Sequence, residues 1–293
     1  MLYQPKPYYN KFMNIKRSQK IKIKKYSDSD NSSAFDQVAI EEPMEIQICS
    51  NTESLSAAKS ISITMRTPGH DQDLAIGFLF SESIIEYSDD IAAIDEIGKV
   101  DKDSGTSNII RVTLNSKANL DIKKLERHFY TTPSCGVCGK TSIEAIYNQG
   151  CKISKSQFSI KHSKLTELPK KLRAQQIIFG ETGGLHAAAV FNTHGEIILV
   201  REDVGRHNAV DKVIGALLKR KQLPANDLGI IVSGRTSFEL MQKIIVAVVP
   251  ILAAVSAPSS LAINLAKEFE VTLVGFLRGN KFNTYSSYHR ITC

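Results

Sequence analysis

Leu228-Gly229-Ile230-Ile231-Val232-Ser233-Gly234-Arg235-Thr236-Ser237-Phe238 decides how the second half of the chain folds. The apolar run predicts a buried strand over 228–232, and the hydroxyl-rich turn behind it opens a helix over 238–248. Free N–H groups in a first helical turn, with the positive end of the helix dipole, favour an anion lying beyond the strand. Ser233, Gly234, Arg235 and Ser237 therefore form a candidate anion cradle. It is not a Walker A loop, because the second glycine and the Lys-Ser/Thr pair are missing.

The pattern recurs downstream. An apolar run over 251–255 ends in Ser256-Ala257-Pro258-Ser259-Ser260 before a helix over 261–269. A third run over 271–276 ends in Leu277-Arg278-Gly279-Asn280-Lys281. One such turn by itself is equally a plain helix cap. Three in succession deliver Ser/Thr, Arg and Lys to one edge of a parallel sheet, which points to a multi-phosphate or nucleotide-containing ligand.

Upstream, Arg201-Glu202-Asp203-Val204-Gly205-Arg206-His207-Asn208 turns a strand over 196–201 into a helix over 207–219. A charged cluster at the carboxyl end of a strand is where open α/β sheets bind ligands, so Arg206 and His207 border the candidate site. The stretch 183–191 sets His186 among small apolar residues, as a core histidine or as a place where a flat ligand comes close. In the first half, Val38, Ile40, Met44, Ile46 and Ile48 alternate with polar residues, and 61–65 alternates again. These predict strands of an antiparallel or mixed sheet with one wet face. Arg66-Thr67-Pro68-Gly69-His70-Asp71 then opens a helix over 71–85, with Leu74, Phe78 and Leu79 on one face and Arg66 and His70 in reach of a ligand. A strand over 109–114, a short helix over 121–129, a polar connector over 152–164 and a helix starting at Pro169 complete the outline.

Thr131-Thr132-Pro133-Ser134-Cys135-Gly136-Val137-Cys138-Gly139-Lys140 carries the reactive chemistry. Thr132 precedes proline and marks a break, so the cysteines follow in a loop or a first helical turn. A thiol of free pKa about 8.5 gives its thiolate more readily near a cation or a helix N-terminus. Lys140 and a helix over 141–148 supply both. Structural zinc, a thioredoxin-like dithiol and a sulfur-carrying nucleophile all suit the pair. Cys49, Cys151 and Cys293 are scattered singly and provide no second knuckle for zinc. A zinc deaminase places His-x-Glu before Pro-Cys-x-x-Cys, whereas His194-Gly195-Glu196 follows the cysteines and Ser134 separates Pro133 from Cys135.

The 293 residues provide ample material for a core, and the net charge of +7 is local. The first 25 residues hold eight of the 37 Lys/Arg and no acid, leaving 29 bases against 30 acids. That basicity predicts a disordered arm over 1–35 rather than a nucleic-acid surface. No secretory h-region is seen, and the most apolar stretch, 244–255, is too short to span a membrane. An odd number of irregularly spaced cysteines suits a reducing cytoplasm.

Six motifs in order resemble the FdhD family, the formate dehydrogenase accessory sulfurtransferases. They are Arg-Thr-Pro-Gly-His-Asp, Ser-Cys-Gly-Val-Cys-Gly, Gly-Gly-Leu-His-Ala-Ala, Arg-Glu-Asp-Val-Gly-Arg-His-Asn-Ala-Val-Asp-Lys, Ser-Gly-Arg-Thr-Ser-Phe-Glu and Val-Gly-Phe-Leu-Arg-Gly. The likeness runs over about 44–285. It implies a cytidine-deaminase-like three-layer α/β/α domain with a smaller N-terminal α+β part, assembled as a homodimer. The division expected is an arm at 1–35, the α+β part at 36–130, the CxxC loop and following helix at 131–150, and a cofactor-binding domain at 151–293. The resemblance implies a sulfur carrier. A cysteine desulfurase loads Cys135 as a persulfide beside Cys138, and the sulfur passes to bis(molybdopterin guanine dinucleotide) before that cofactor enters formate dehydrogenase. The family's cofactor-binding stretch falls on Phe276, Leu277, Arg278, Gly279, Asn280 and Lys281, with Arg235, Ser237 and Arg278 as phosphate grips and GDP as a stand-in for half the ligand. No metal, nucleic acid or membrane is called for. The competing reading is a chaperone that binds the same cofactor and does no chemistry.

Overall fold

The computed structural model describes residues 15–28, 31–51, 58–102, 104–115, 153 and 156–293. The CxxC pair, Cys151 and the helices expected over 121–129 and 141–148 lie outside the described residues.

Six strands build the main sheet. In chain order they are β8 (His186–Phe191), β9 (Ile197–Asp203), β10 (Gly229–Val232), β11 (Ile251–Ala254), β12 (Thr272–Arg278) and β13 (Lys281–Thr284), arranged in space as β13-β12-β11-β10-β8-β9. β10, β11 and β12 run parallel, as the repeated strand–turn–helix pattern requires, and the other pairs are antiparallel. Side chains on a strand alternate between faces, and the core divides accordingly. Ala188, Val190, Ile230, Val232, Leu252 and Leu273 join one cluster; Ala187, Ala189, Ile231, Ile251, Ala253 and Val274 join the other.

The first cluster is covered by four helices: α1 (Asp71–Ser81), α4 (Arg206–Lys219), α5 (Phe238–Val246) and α6 (Ser260–Glu268). The second is covered by α2 (His162–Gln175) through Leu165, Leu168 and Leu172. A short helix, α3 (Ile177–Thr182), follows α2. The fold class expected, three α/β/α layers with a smaller N-terminal α+β part, is the one observed.

The N-terminal part is a mixed sheet of order β4-β3-β6-β5, formed by β3 (Glu42–Ser50), β4 (Lys59–Arg66), β5 (Ile91–Val100) and β6 (Ser107–Leu114). Met44, Ile46, Ile48, Ile110, Val112 and Leu114 face α1 and enter the first core. The wetter face carries pairs such as Arg111 with Gln47, 3.2–3.3 Å apart. α1 is buried around most of its circumference, not along the one stripe expected, because it lies between this sheet and α4. Gly77 and Gly215 make that approach possible. A Cβ on Gly77 would sit 1.8 Å from the Asp211 carbonyl oxygen, and one on Gly215 1.9 Å from that of Asp73.

Two expectations are corrected. The arm over 1–35 is not disordered throughout: β1 (Ser18–Tyr26) and β2 (Asn31–Ala39) form an antiparallel ribbon in continuous register. Ile21 and Ile23 alternate with the lysines, and the base of the ribbon is tied down. Ser18 donates to Glu181 at 3.1 Å, and Ile40 N–H donates to the Arg17 carbonyl at 2.9 Å. Charge density hid a period of two. Pro169 does not begin its helix but lies inside α2, where burial of Leu165 and Leu168 holds the turn before it. The expected connector also contributes β7 (Ile160–Lys161), which pairs in parallel with β14 (Ile291–Thr292) at the end of the chain.

Candidate functional site

At the carboxyl ends of the parallel strands, hydrogen bonding continues into the turns. Ser233 N–H donates to Ala187 O at 2.9 Å, and Val255 N–H to Val232 O at 3.1 Å. Thr236 N–H donates to Ala257 O at 3.2 Å, Ser259 N–H to Thr236 O at 2.9 Å, and Phe276 N–H to Ser256 O at 3.1 Å. The turns that open α5 and α6 and the outer end of β12 therefore stand as one fixed row. A preformed row of this kind holds its donors in place before any ligand arrives, which lowers the ordering cost of binding.

The row collects most of the residues singled out in the sequence. Arg206 and His207 begin α4 beside the Ser233 turn, and His207 Nε2 shares a hydrogen bond with Ser237 Oγ at 3.2 Å. Gly234 packs closely here, since a Cβ would lie 3.3 Å from His186 Nδ1 and 3.7 Å from the Arg206 Cβ. Arg235 is exposed on the turn. Ser233 accepts from Ala187 N–H at 2.9 Å, which leaves its own O–H to donate. Arg278 reaches back to the neighbouring strand, its Nε donating to Val255 O at 3.0 Å. Gly279 and Asn280 form the exposed turn to Lys281, which opens β13. Phe276 is 42% exposed with a φ of 53°. Leu277 is corrected: its side chain is wholly buried in the second core and belongs to the packing.

Electrostatics suit an anion. Burial, then the neighbouring charges of Arg206 and Lys243, push His207 down to about 4. Burial and Arg206 lower His186 as well. Both imidazoles are thus neutral near pH 7, and the positive charge comes from the arginines and Lys281. Glu239, 3.9 Å from His207 Nε2, was missed in the sequence. Burial pushes its carboxyl up, but Ser237, its own backbone N–H, His207 and Arg206 outweigh that and hold it low. Two polar atoms at the site are buried with no hydrogen-bond partner among the described residues, Arg206 Nε and Thr236 Oγ1. Such groups are costly to leave unpaired. A phosphate-bearing ligand fits this donor set. An open pocket of about 470 Å3 adjoins it, running from Ser233, His186 and Val255 toward α2 and α3.

Other residues of the same motifs turn inward. Asp203 takes Lys212 Nζ at 2.6 Å and N–H donors from Thr67 and Gly205, at 3.2 and 2.8 Å. Asn208 bridges Asp203 and the Met65 carbonyl, at 3.0 and 2.7 Å. Arg66, expected near a ligand, is fully buried between Glu42 and Asp71, at 3.0 Å from each. These side chains join the N-terminal sheet to the main domain. His70 begins α1 with a φ of 59°, 3.7 Å from Asp73. Among the described residues no cluster of three His, Cys, Asp or Glu is placed to hold a metal, and no helix is long and apolar enough to cross a membrane.

Fold and site together define a three-layer α/β protein with a row of hydroxyl, N–H and arginine donors at the carboxyl edge of its parallel strands. The chain belongs to the FdhD/NarQ family, whose model matches residues 39–292. It is 45% identical over 262 residues to a sulfur carrier protein FdhD of Mycolicibacterium paratuberculosis, covering 87% of this chain and 91% of that protein. It is 39% identical over 279 residues to the sulfur carrier protein FdhD of Saccharolobus solfataricus, covering 95% and 99%. The crystal structure of a candidate formate dehydrogenase accessory protein from Desulfotalea psychrophila superposes with a TM-score of 0.73 at 22% identity, covering 94% of this chain and all of that one.

Proposed function

We propose that the chain is a sulfurtransferase that carries sulfur for formate dehydrogenase. Cys135 accepts sulfane sulfur from a cysteine desulfurase, and the acceptor substrate is the molybdenum cofactor, bis(molybdopterin guanine dinucleotide), before it enters formate dehydrogenase. The names of the relatives support the carrier role. The observation that carries the acceptor half is the strand-end row, where Arg206, Arg235 and Arg278 stand with two unpaired buried donors beside a pocket.

Loading is thiol–disulfide-type exchange. The Cys135 thiolate attacks the outer sulfur of the donor persulfide. A new S–S bond forms on Cys135, the donor's S–S bond breaks, and the donor cysteine leaves as a thiolate. On delivery, the Cys138 thiolate attacks the inner Cys135 sulfur and expels the outer one as hydrosulfide, leaving a Cys135–Cys138 disulfide that a cellular thiol reduces. The chain's remaining task is to hold the acceptor's phosphates on Arg235, Ser237 and Arg278, with Arg206 and His207 at the border. A reducing cytoplasm keeps both thiols available, and a homodimer presents two such rows.

Mass spectrometry after incubation with a cysteine desulfurase and cysteine tests the first half. One added sulfur atom on the peptide carrying Cys135 is expected, and its absence refutes the persulfide. Cys135→Ala tests the second: a carrier loses support of formate dehydrogenase, whereas a cofactor chaperone that does no chemistry keeps it.

A further inference from the structure

The ribbon of β1 and β2 takes no part in the chemistry at the strand ends, yet its surface is ordered by charge. Side chains alternate along a strand, and the register sets Lys20 across from Gln37, Lys22 across from Phe35 and Lys24 across from Ser33. That face carries three exposed lysines and no acid. Asp36, the one acid in the two strands, lies on the opposite face across from Ile21. Phe35 is 60% exposed in the middle of the lysines, with the Lys20 ammonium 4.5 Å over its ring. β2 packs against α3, and at the base Gln37 donates to Ser18 Oγ at 2.8 Å, which in turn donates to Glu181. Among the described residues β1 pairs with no strand except β2, so its outer edge offers backbone N–H and C=O groups to another chain. A two-stranded ribbon is marginal in water by itself, and a third strand on the free edge would complete it.

We infer that the β1 edge docks an extended acidic segment of a partner protein, laid down as a third strand with its carboxylates beside Lys20, Lys22 and Lys24. Lysines two residues apart on one face stand roughly 6.7 Å from each other, the repeat at which an added strand presents every second side chain. Opposite charges on neighbouring strands attract, and like charges repel. The same lysines therefore refuse a second copy of β1 and admit a strand of opposite sign. Two features favour protein over nucleic acid. The two strands contain no arginine, the side chain suited to gripping phosphate with two parallel donors, and one face of the Phe35 ring lies under Lys20 rather than open to a base. The base of the ribbon adjoins the pocket, since a Cβ on the pocket residue Gly184 would lie 3.7 Å from the Ala39 Cβ. A partner held on the ribbon is thus brought close to the strand-end row, whatever group the chain carries.

Fluorescence anisotropy of the full chain tests this with three labelled probes: a peptide of alternating Glu and Thr long enough to span β1, its Lys-Thr counterpart, and single-stranded oligouridylate. The acidic peptide binds, the basic one does not, and the affinity falls as salt is raised, because the charges are at the surface. Replacing Lys20, Lys22 and Lys24 together by Gln weakens the acidic peptide roughly tenfold and leaves the melting temperature unchanged, since all three side chains are exposed. Lys25→Gln removes the same charge from the opposite face, across from Ser32, and changes the affinity little. Amide hydrogen exchange then shows added protection over 18–26 in the complex, which attraction without strand pairing does not give. Oligouridylate binding as tightly as the acidic peptide makes the face a nucleic-acid surface and overturns the proposal. It also fails if the acidic peptide does not bind at low salt, in which case the lysines only keep the edge from self-pairing, if Lys25→Gln matches the triple variant, or if exchange over 18–26 is unaltered. Persulfide loading of Cys135 is measured separately, and neither result decides the other.

Discussion

Lys212 and Asp203 form an ion pair 2.6 Å long with side chains only 1% and 0% exposed. Lys212 Nζ also donates to the carbonyls of Thr67 and Glu202, at 2.8 and 3.4 Å. Lys212→Met keeps most of the length and the apolar stem of the side chain while deleting the charge. Asp203 would retain the N–H groups of Thr67 and Gly205 and the amide of Asn208 but lose its counter-charge. Removing one partner of a buried pair costs about 3–5 kcal/mol, since the remaining group is left buried without its counter-charge. Against a total stability of roughly 5–15 kcal/mol, the loss lowers the melting temperature by roughly 10 °C. Urea and thermal melts followed by circular dichroism measure it. Asp203→Asn combined with Lys212→Met removes both charges and should recover most of the loss, because a neutral replacement of both partners can be nearly neutral in energy. A Lys212→Met protein within about 1 kcal/mol of wild type, or a double variant less stable than the single one, would refute the reasoning. Arg206→Ala on the same helix should do the opposite, sparing stability and weakening GDP binding.

Gly215→Ala should destabilise by about 3 kcal/mol or more, because its Cβ would meet the Asp73 carbonyl at 1.9 Å and α1 and α4 would have to part. On an exposed helix the same change stabilises by about 1 kcal/mol, so the sign of the shift in urea midpoint decides the matter. His70 is lowered to about 3 by burial, then by the charges of Arg201 and Arg17. The unfolded chain binds this proton near pH 6.5 and the folded one does not, so its contribution is complete above that pH and is lost as pH falls toward 3. Relative to His70→Asn, which tolerates the left-handed backbone, wild type should lose about 2 kcal/mol between pH 6.5 and 5. Parallel stability curves for the two proteins would remove His70 as the cause.

Alternation and turn chemistry carry only as far as neighbours along the chain. The strand–turn–helix units of β10 and β11, the parallel order of β10, β11 and β12 and the gathering of Ser233, Arg235, Ser237 and Arg278 at one edge were all legible, because a period of two, a glycine and a helix cap are local signals. The inward turn of Asp203, Asn208 and Lys212 was not, since a charged cluster reads the same whether it faces solvent or a distant carbonyl such as that of Met65 or Thr67. The ribbon of β1 and β2 was hidden for a related reason: isolated lysines suggest a solvated chain until a pairing partner is known. By itself, then, the sequence determined the family, the order of elements and the chemical character of the strand-end row. Only the tertiary structure decided which members of each polar motif bind the protein to itself and which remain to meet a ligand, because burial and pairing are properties of residues brought together from far along the chain.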